Sequence, residues 1–196
     1  MGSTGLVAAE DAINNGLGVD WNGAYAGLFT SGSWTSVSPA GDGFESGETH
    51  GWGGGAYAGY NTDLNGIVFG VESDIGKASG EATGVEGEDG IYSATIDWTA
   101  HLRGRVGVSV QQALFYLAGG AAIAGATLDT TAGSSQATYL GWTVGAGVDF
   151  AVTQNAVLRL EYLHDNFGTA TFDDDGTDQD VDLVSDTVRA GFSFKF

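Results

Sequence analysis

The sequence predicts an all-β chain: an eight-stranded antiparallel up-and-down transmembrane β-barrel with four long extracellular loops and three short periplasmic turns. Three observations carry this. From Asp20 onward, apolar and polar side chains alternate at period two, the mark of strands with two unlike faces. Short links alternate in order with long polar ones, as in barrels whose loops lie outside and whose termini lie in the periplasm. The polar strand faces are mostly Gly, Ser and Thr, whereas the exterior of a soluble barrel carries roughly a quarter to a third charged residues.

The first two strands are expected near residues 24–31 and 55–61, where Gly and Ala define a strand better than its facing. In the third, Ile67, Phe69 and Val71 oppose Gly70, Glu72 and Asp74. Residues 95–109 alternate most clearly. Ile96, Trp98, Ala100, Leu102, Val106 and Val108 make one face, and Asp97, His101, Arg103 and Arg105 stand on the other. Residues 113–126 form a fifth strand, again Gly/Ala-rich. Then Leu140, Trp142, Val144 and Phe150 oppose Thr143 and Asp149. Leu158, Leu160 and Tyr162 oppose Arg159 and Glu161. The last strand sets Val188, Ala190, Phe192, Phe194 and Phe196 against Thr187, Arg189, Ser193 and Lys195. Tight turns are expected at 62–66, 109–112 and 153–155, and long links at about 33–51, 76–93, 127–137 and 166–186. Aromatic residues mark two interfacial girdles. Tyr60, Tyr116, Phe150, Phe194 and Phe196 are expected on the turn side, and Trp98, Trp142 and Tyr162 on the loop side.

Composition narrows the function. The 196 residues hold 25 acidic and 6 basic side chains, a net charge of −19, which argues against nucleic acid as a partner because phosphate binding needs a basic face. No cysteine is present, so disulfide scaffolds, thiolate zinc sites and cysteine nucleophiles are excluded. The longest apolar run, residues 113–126, falls short of the ~20 residues a spanning helix needs. Residues 1–19 read as a flexible leader or the remnant of a signal peptide, and residues 20–196 as the barrel.

An eight-stranded barrel is just wide enough to be filled by its own side chains. Inward charges must therefore pair, because an isolated buried ion costs several kcal/mol. The expected interior set is Glu72, Asp74, Asp97, Asp149 and Glu161 facing Arg103, Arg105, Arg159, Arg189 and Lys195. It reads as a packed polar plug that fixes register rather than a gated ion path. His101 shares that face and is expected to join the packing, with His50 and His164 near the extracellular rim. The fourth loop concentrates acid: Asp165, Asp173, Asp174, Asp175, Asp178, Asp180, Asp182 and Asp186 have no Lys or Arg between them. Such a segment is expected to be solvated and self-repelling. Clustered carboxylates also suit calcium, which makes Asp173, Asp175, Asp178, Asp180 and Asp182 a candidate weak divalent-cation loop. The match to an EF-hand is poor, with Thr171 in the first position and Asp182 in place of the terminal Glu. No Ser/His/Asp set or carboxylate pair converges on one rim, so no enzymatic activity is expected.

Several short motifs share one order along the chain. Trp21-Asn22-Gly23-Ala24-Tyr25-Ala26-Gly27, Ala58-Gly59-Tyr60-Asn61, Phe69-Gly70-Val71-Glu72-Ser73-Asp74 and Arg103-Gly104-Arg105-Val106-Gly107 make the first half. Gly119-Gly120-Ala121-Ala122, Gly141-Trp142-Thr143-Val144-Gly145-Ala146-Gly147-Val148, Leu160-Glu161-Tyr162 and the final Phe196 complete it. Together, over nearly all of residues 20–196, they resemble the small OmpA-like, porin-family surface antigens of alphaproteobacterial outer membranes. The resemblance implies an eight-stranded barrel in the bacterial outer membrane, in contact with its lipid and lipopolysaccharide. It also implies insertion by machinery that recognises the C-terminal strand, and a structural surface role. No cofactor is expected beyond calcium held weakly by the extracellular loops. Departures are the acidic loops, the lack of a full signal, and the lack of a peptidoglycan-binding domain after the barrel, so wall anchoring of the OmpA kind is not implied. The leading expectation is a structural protein that conducts weakly at most. The alternative is a surface-binding protein whose acidic loops capture divalent cations, haem or a macromolecular partner.

Overall fold

The computed structural model describes residues 19–39, 47–79, 81–82, 86–87, 90–91, 93–130, 133–174 and 177–196; side chains are described for 19–34, 50–77, 98–125, 138–167 and 184–196. Apart from Val19, the expected leader lies outside these residues. Eight long strands follow one another: β1 (Gly23–Pro39), β2 (Gly47–Leu64), β3 (Ile67–Ser79), β4 (Ser93–Val110), β5 (Ala113–Thr130), β6 (Gly133–Ala151), β7 (Ala156–Asp174) and β8 (Thr177–Lys195). Two-residue ladders at Glu81–Ala82, Glu86–Gly87 and Gly90–Ile91 decorate the link between β3 and β4. Each long strand pairs antiparallel with its neighbours in sequence, and β1 pairs with β8 from Tyr25↔Lys195 to Pro39↔Val181. The ring is closed. Closure satisfies every strand edge, which a membrane requires because lipid offers no hydrogen bonds.

The three short connections share one end of the barrel. Asn65 and Gly66 both have positive φ, 58° and 91°, the type I′ geometry whose twist matches the flanking strands. The Asp63 carboxylate accepts a hydrogen bond from the Gly66 N–H at 2.7 Å. The second connection turns at Gln111, φ 55°. The third is closed by the Val152 N–H on the Ala156 carbonyl at 2.8 Å. At the other end the ladders run further than the sequence suggested. β7 and β8 stay paired to Asp174↔Thr177, and β5 and β6 to Thr130↔Gly133. Much of the expected 127–137 and 166–186 links is therefore hairpin, because alternating polar residues continue an established ladder without needing lipid.

Burial inverts the rule of a water-soluble protein. Leu102 is 65 % exposed while Arg103 beside it is 2 % exposed. Leu158, Leu160 and Tyr162 stand outside while Arg159 and Glu161 are buried. Val188, Phe192 and Phe194 likewise face out, with Arg189, Ser193 and Lys195 inside. Only a lipid exterior accounts for this arrangement.

One expected girdle residue is placed otherwise. Tyr116 is buried in the interior, while Phe115 and Leu117 take the outer face. In this Gly/Ala-rich run both parities are apolar, so period two alone did not choose between them. Trp98 is only half-buried. A register shift between Ile96 and Trp98 precedes it, and its indole packs where a side chain on Gly125 would stand.

Apolar clusters cap the interior at both ends. At the turn end Trp21, Val68, Leu114, Ala151 and Val157 pack together, with Val19 against them. Toward the other end Ala122, Ala124 and Phe167 form a second cluster with Tyr139.

Candidate functional site

Between these clusters lies a network of paired charges. Period two brings it together, since each member holds the inward parity of its strand. Glu72 on β3 is the hub. One oxygen, Oε1, accepts from Arg103 Nη2 at 2.6 Å. The other, Oε2, accepts from Tyr25 at 2.8 Å, Arg105 at 3.0 Å and Arg159 at 2.6 Å. Asp149 on β6 takes Arg159 on both oxygens, at 2.7 and 3.0 Å, and Arg105 at 2.7 Å. Glu161 on β7 accepts from Arg103 at 3.0 and 3.3 Å and from Tyr116 at 2.9 Å. Asp74 on β3 joins Arg103 at 3.2 Å and Arg189 on β8 at 3.0 Å.

Aromatic faces complete the packing. The Arg105 guanidinium lies 3.9 Å from the Tyr116 ring centroid, Arg159 4.3 Å from Tyr57, and Arg189 4.4 Å from Phe29. Such cation–π contacts are strongest where the cation is desolvated. Glycines make room for these rings. A Cβ on Gly147 would lie 2.5 Å from the Tyr116 phenol, and one on Gly27 would lie 2.6 Å from the Tyr57 ring.

Eight of the ten expected interior residues meet here: Glu72, Asp74, Asp149 and Glu161 with Arg103, Arg105, Arg159 and Arg189. Lys195 is buried but stands apart, donating to the Asp20 backbone carbonyl and lying 5.4 Å from the Trp21 ring centroid. Its place on the last inward position of β8 puts it at the turn end, out of reach of the network. Nearby, hydrogen bonds from the Asn22 backbone N–H and side-chain amide hold the Asp20 carboxyl below its ordinary pKa. Asp97 falls outside the described side chains.

Two acids assigned to the fourth loop belong to the wall instead. Asp165 is buried, 3.3 Å from His101 Nε2, while His101 Nδ1 lies 2.7 Å from Asp74. The signal for it was present: Asp165 shares parity with Arg159 and Glu161. Asp186 lies on the outer wall, where it accepts from Tyr162 at 2.6 Å and lies 2.8 Å from His164 Nδ1. The His164 ring in turn sits 5.7 Å from Trp142. Tyr25 and Tyr57 also fill the interior; the sequence does not mark them, because Gly/Ala-rich β1 and β2 do not announce their facing. Among the described residues no group of three or more His, Cys, Asp or Glu is placed to hold a metal ion. The calcium expectation rests on Asp173, Asp175, Asp178, Asp180 and Asp182, whose side chains lie outside the described ones.

A closed barrel, apolar outside and ion-paired inside, defines a transmembrane β-barrel of the outer-membrane class. A family model described as the outer membrane protein beta-barrel domain matches residues 3–196. The chain belongs to that family. It is 32 % identical over 181 residues to a 22 kDa outer membrane protein of Rhizobium leguminosarum bv. viciae, covering 90 % of this chain and 78 % of that protein. It is 31 % identical over 178 residues to a 25 kDa outer-membrane immunogenic protein of Brucella abortus, covering 90 % of this chain and 79 % of the relative. These relatives are named as outer-membrane or immunogenic proteins, not as enzymes. Neisserial surface protein A shares the fold with a TM-score of 0.56 at 20 % identity, covering 89 % of this chain and 99 % of that one. The attachment invasion locus protein Ail of Yersinia pestis does so at 0.54 and 14 %, with the same coverage.

Proposed function

We propose that this chain is a structural, non-enzymatic surface barrel whose interior is filled by its own side chains and conducts ions weakly at most. The observation that carries the reading is that all four arginines of the chain are buried and paired with carboxylates across the lumen, between two apolar clusters. An ion crossing the barrel would have to part contacts of 2.6–3.0 Å around Glu72. The exterior would face outer-membrane lipid and lipopolysaccharide, with both termini periplasmic, and the aromatic C-terminal strand would be read by the insertion machinery. Planar-bilayer recording of the purified, folded protein tests this. The expected trace shows no steady large conductance; a sustained open level in most insertions would overturn the closed-interior reading.

A second reading gives the far-end hairpin of β7 and β8 a weak divalent-cation role. It is favoured by register, which sets Asp173 directly opposite Asp178, a like-charge pair that a cation would relieve. Calcium titration by calorimetry against a variant with Asp173, Asp178 and Asp180 changed to Asn tests it; equal heats for both proteins would remove it.

A further inference from the structure

We propose that His101 is a proton-holding site: a doubly protonated ring that acts as the fifth cation of the network and clamps β3 to β7 across the lumen. Both ring nitrogens face carboxylates. Nδ1 lies 2.7 Å from Asp74 Oδ1, and Nε2 lies 3.3 Å from Asp165 Oδ1. Nε2 and Asp165 Oδ1 are both buried, stand at ion-pair distance from each other, and have no hydrogen-bond partner. An ionised carboxylate only accepts, and a neutral imidazole has one N–H and one bare lone pair. Either neutral tautomer would therefore aim a lone pair at a carboxylate oxygen. The ring that fits carries hydrogen on both nitrogens.

Charge balance points the same way. Among the described interior side chains of the network, Glu72, Asp74, Asp149, Glu161 and Asp165 are five carboxylates, while Arg103, Arg105, Arg159 and Arg189 are four guanidinium groups. An imidazolium at His101 makes five against five. The surroundings of the ring are few and charged. Asp74 faces it from β3, Asp165 from β7, and Arg189 Nη2 approaches Nδ1 from β8 at 3.4 Å. Arg103, on its own strand, reaches it only through Asp74. On the paired β5 the partner residue is Ala122, which carries no charge. Arg189 does not replace the ring proton: its Nη2 stands 3.4 Å from Nδ1 while Asp74 Oδ1 stands 2.7 Å away, so a bare Nδ1 would still set its lone pair against the nearer carboxylate oxygen. The clamp sits on the side of the network toward Phe167, two positions along β7 from Asp165, and so ties the walls next to the upper apolar cluster.

The test reads the ring itself, so its outcome is separate from that of the conductance measurement. The chain has three histidines. His50→Gln with His164→Gln leaves His101 as the sole imidazole without touching the interior. With ¹⁵N,¹³C-histidine in this variant folded into lipid bilayers, solid-state NMR at pH 7.5 distinguishes imidazolium from either neutral tautomer. A free imidazole, with a pKa of about 6.5, is roughly nine-tenths neutral at that pH. The expected spectrum is that of a ring with two N–H groups. Adding Asp165→Asn should convert most of the population to a neutral ring with its hydrogen on Nδ1 toward Asp74. A predominantly neutral ring in the parent variant would overturn the proposal, and an imidazolium indifferent to Asp165→Asn would overturn the clamp.

Discussion

Glu72→Gln removes one negative charge from the point where three guanidinium groups meet, while leaving the shape of the side chain almost unchanged. The amide carbonyl would take the Oε2 position, where Tyr25, Arg105 and Arg159 all donate. The amide NH₂ would then face Arg103 Nη2 across the 2.6 Å now spanned by a hydrogen bond, donor against donor. Breaking one buried pair by removing a partner costs about 3–5 kcal/mol. Three times that figure is not expected. Arg105 and Arg159 keep Asp149, and Arg103 keeps Glu161, and contacts within one network are not additive. A loss of about 3–5 kcal/mol lowers the folding equilibrium constant by roughly two to three and a half decades. Equilibrium urea unfolding in lipid vesicles, followed by tryptophan fluorescence, measures it. Lys77→Gln, on an exposed side chain, serves as control and should stay within about 0.5 kcal/mol. A Glu72→Gln protein within about 1 kcal/mol of wild type would refute the argument that paired charges, rather than mere filling, hold the interior.

Facing and packing fix three further outcomes. In a chain without cysteine, single cysteines at Leu102 and Phe192 carrying nitroxide labels should show lipid contact, with high collision rates for oxygen and low rates for a water-soluble relaxant. A cysteine at Thr143, 1 % exposed, should resist a water-soluble maleimide until the barrel is unfolded; rapid labelling in the folded state would show a wet interior. Gly147→Val would drive a side chain into the Tyr116 phenol and displace its hydrogen bond to Glu161. Overpacking of this kind costs about 1–3 kcal/mol, readable in the same urea titration, and Gly104→Val should cost less because its nearest neighbour would stand 3.9 Å away.

The legible parts of this fold are those where two faces differ in chemistry. Residues 95–109 and 187–196 alternate apolar with charged, so their inward and outward faces could be read directly, and with them Arg103, Arg105 and Arg189. Where both parities are small or apolar, the reading stops. Leu114, Phe115, Tyr116 and Leu117 are apolar on either parity, so the sequence leaves Tyr116 free to face lipid, and only the closed ring decides which pair enters. Tyr25 and Tyr57 escaped notice for the same reason. Asp165 is hidden by a different cause. A run of aspartates further on suggested a loop beginning at residue 166, whereas the ladder continues through Asn166↔Val184 before a register shift at Asn166/Thr169. Lys195 shares inward parity with Arg189, but parity says nothing of height along the barrel, and six residues of rise place it beside Trp21 instead of Asp74.

The central question is whether the arginines are sealed against carboxylates. The chain has only four, so ¹⁵N-arginine with ¹³C-labelled aspartate and glutamate gives a nearly complete view of the interior by solid-state NMR in lipid bilayers. All four guanidinium groups should show strong dipolar coupling to carboxylate carbons and little magnetisation transfer from water. Guanidinium signals in contact with water, and without a carboxylate carbon within about 4 Å, the ion-pair limit, would contradict it.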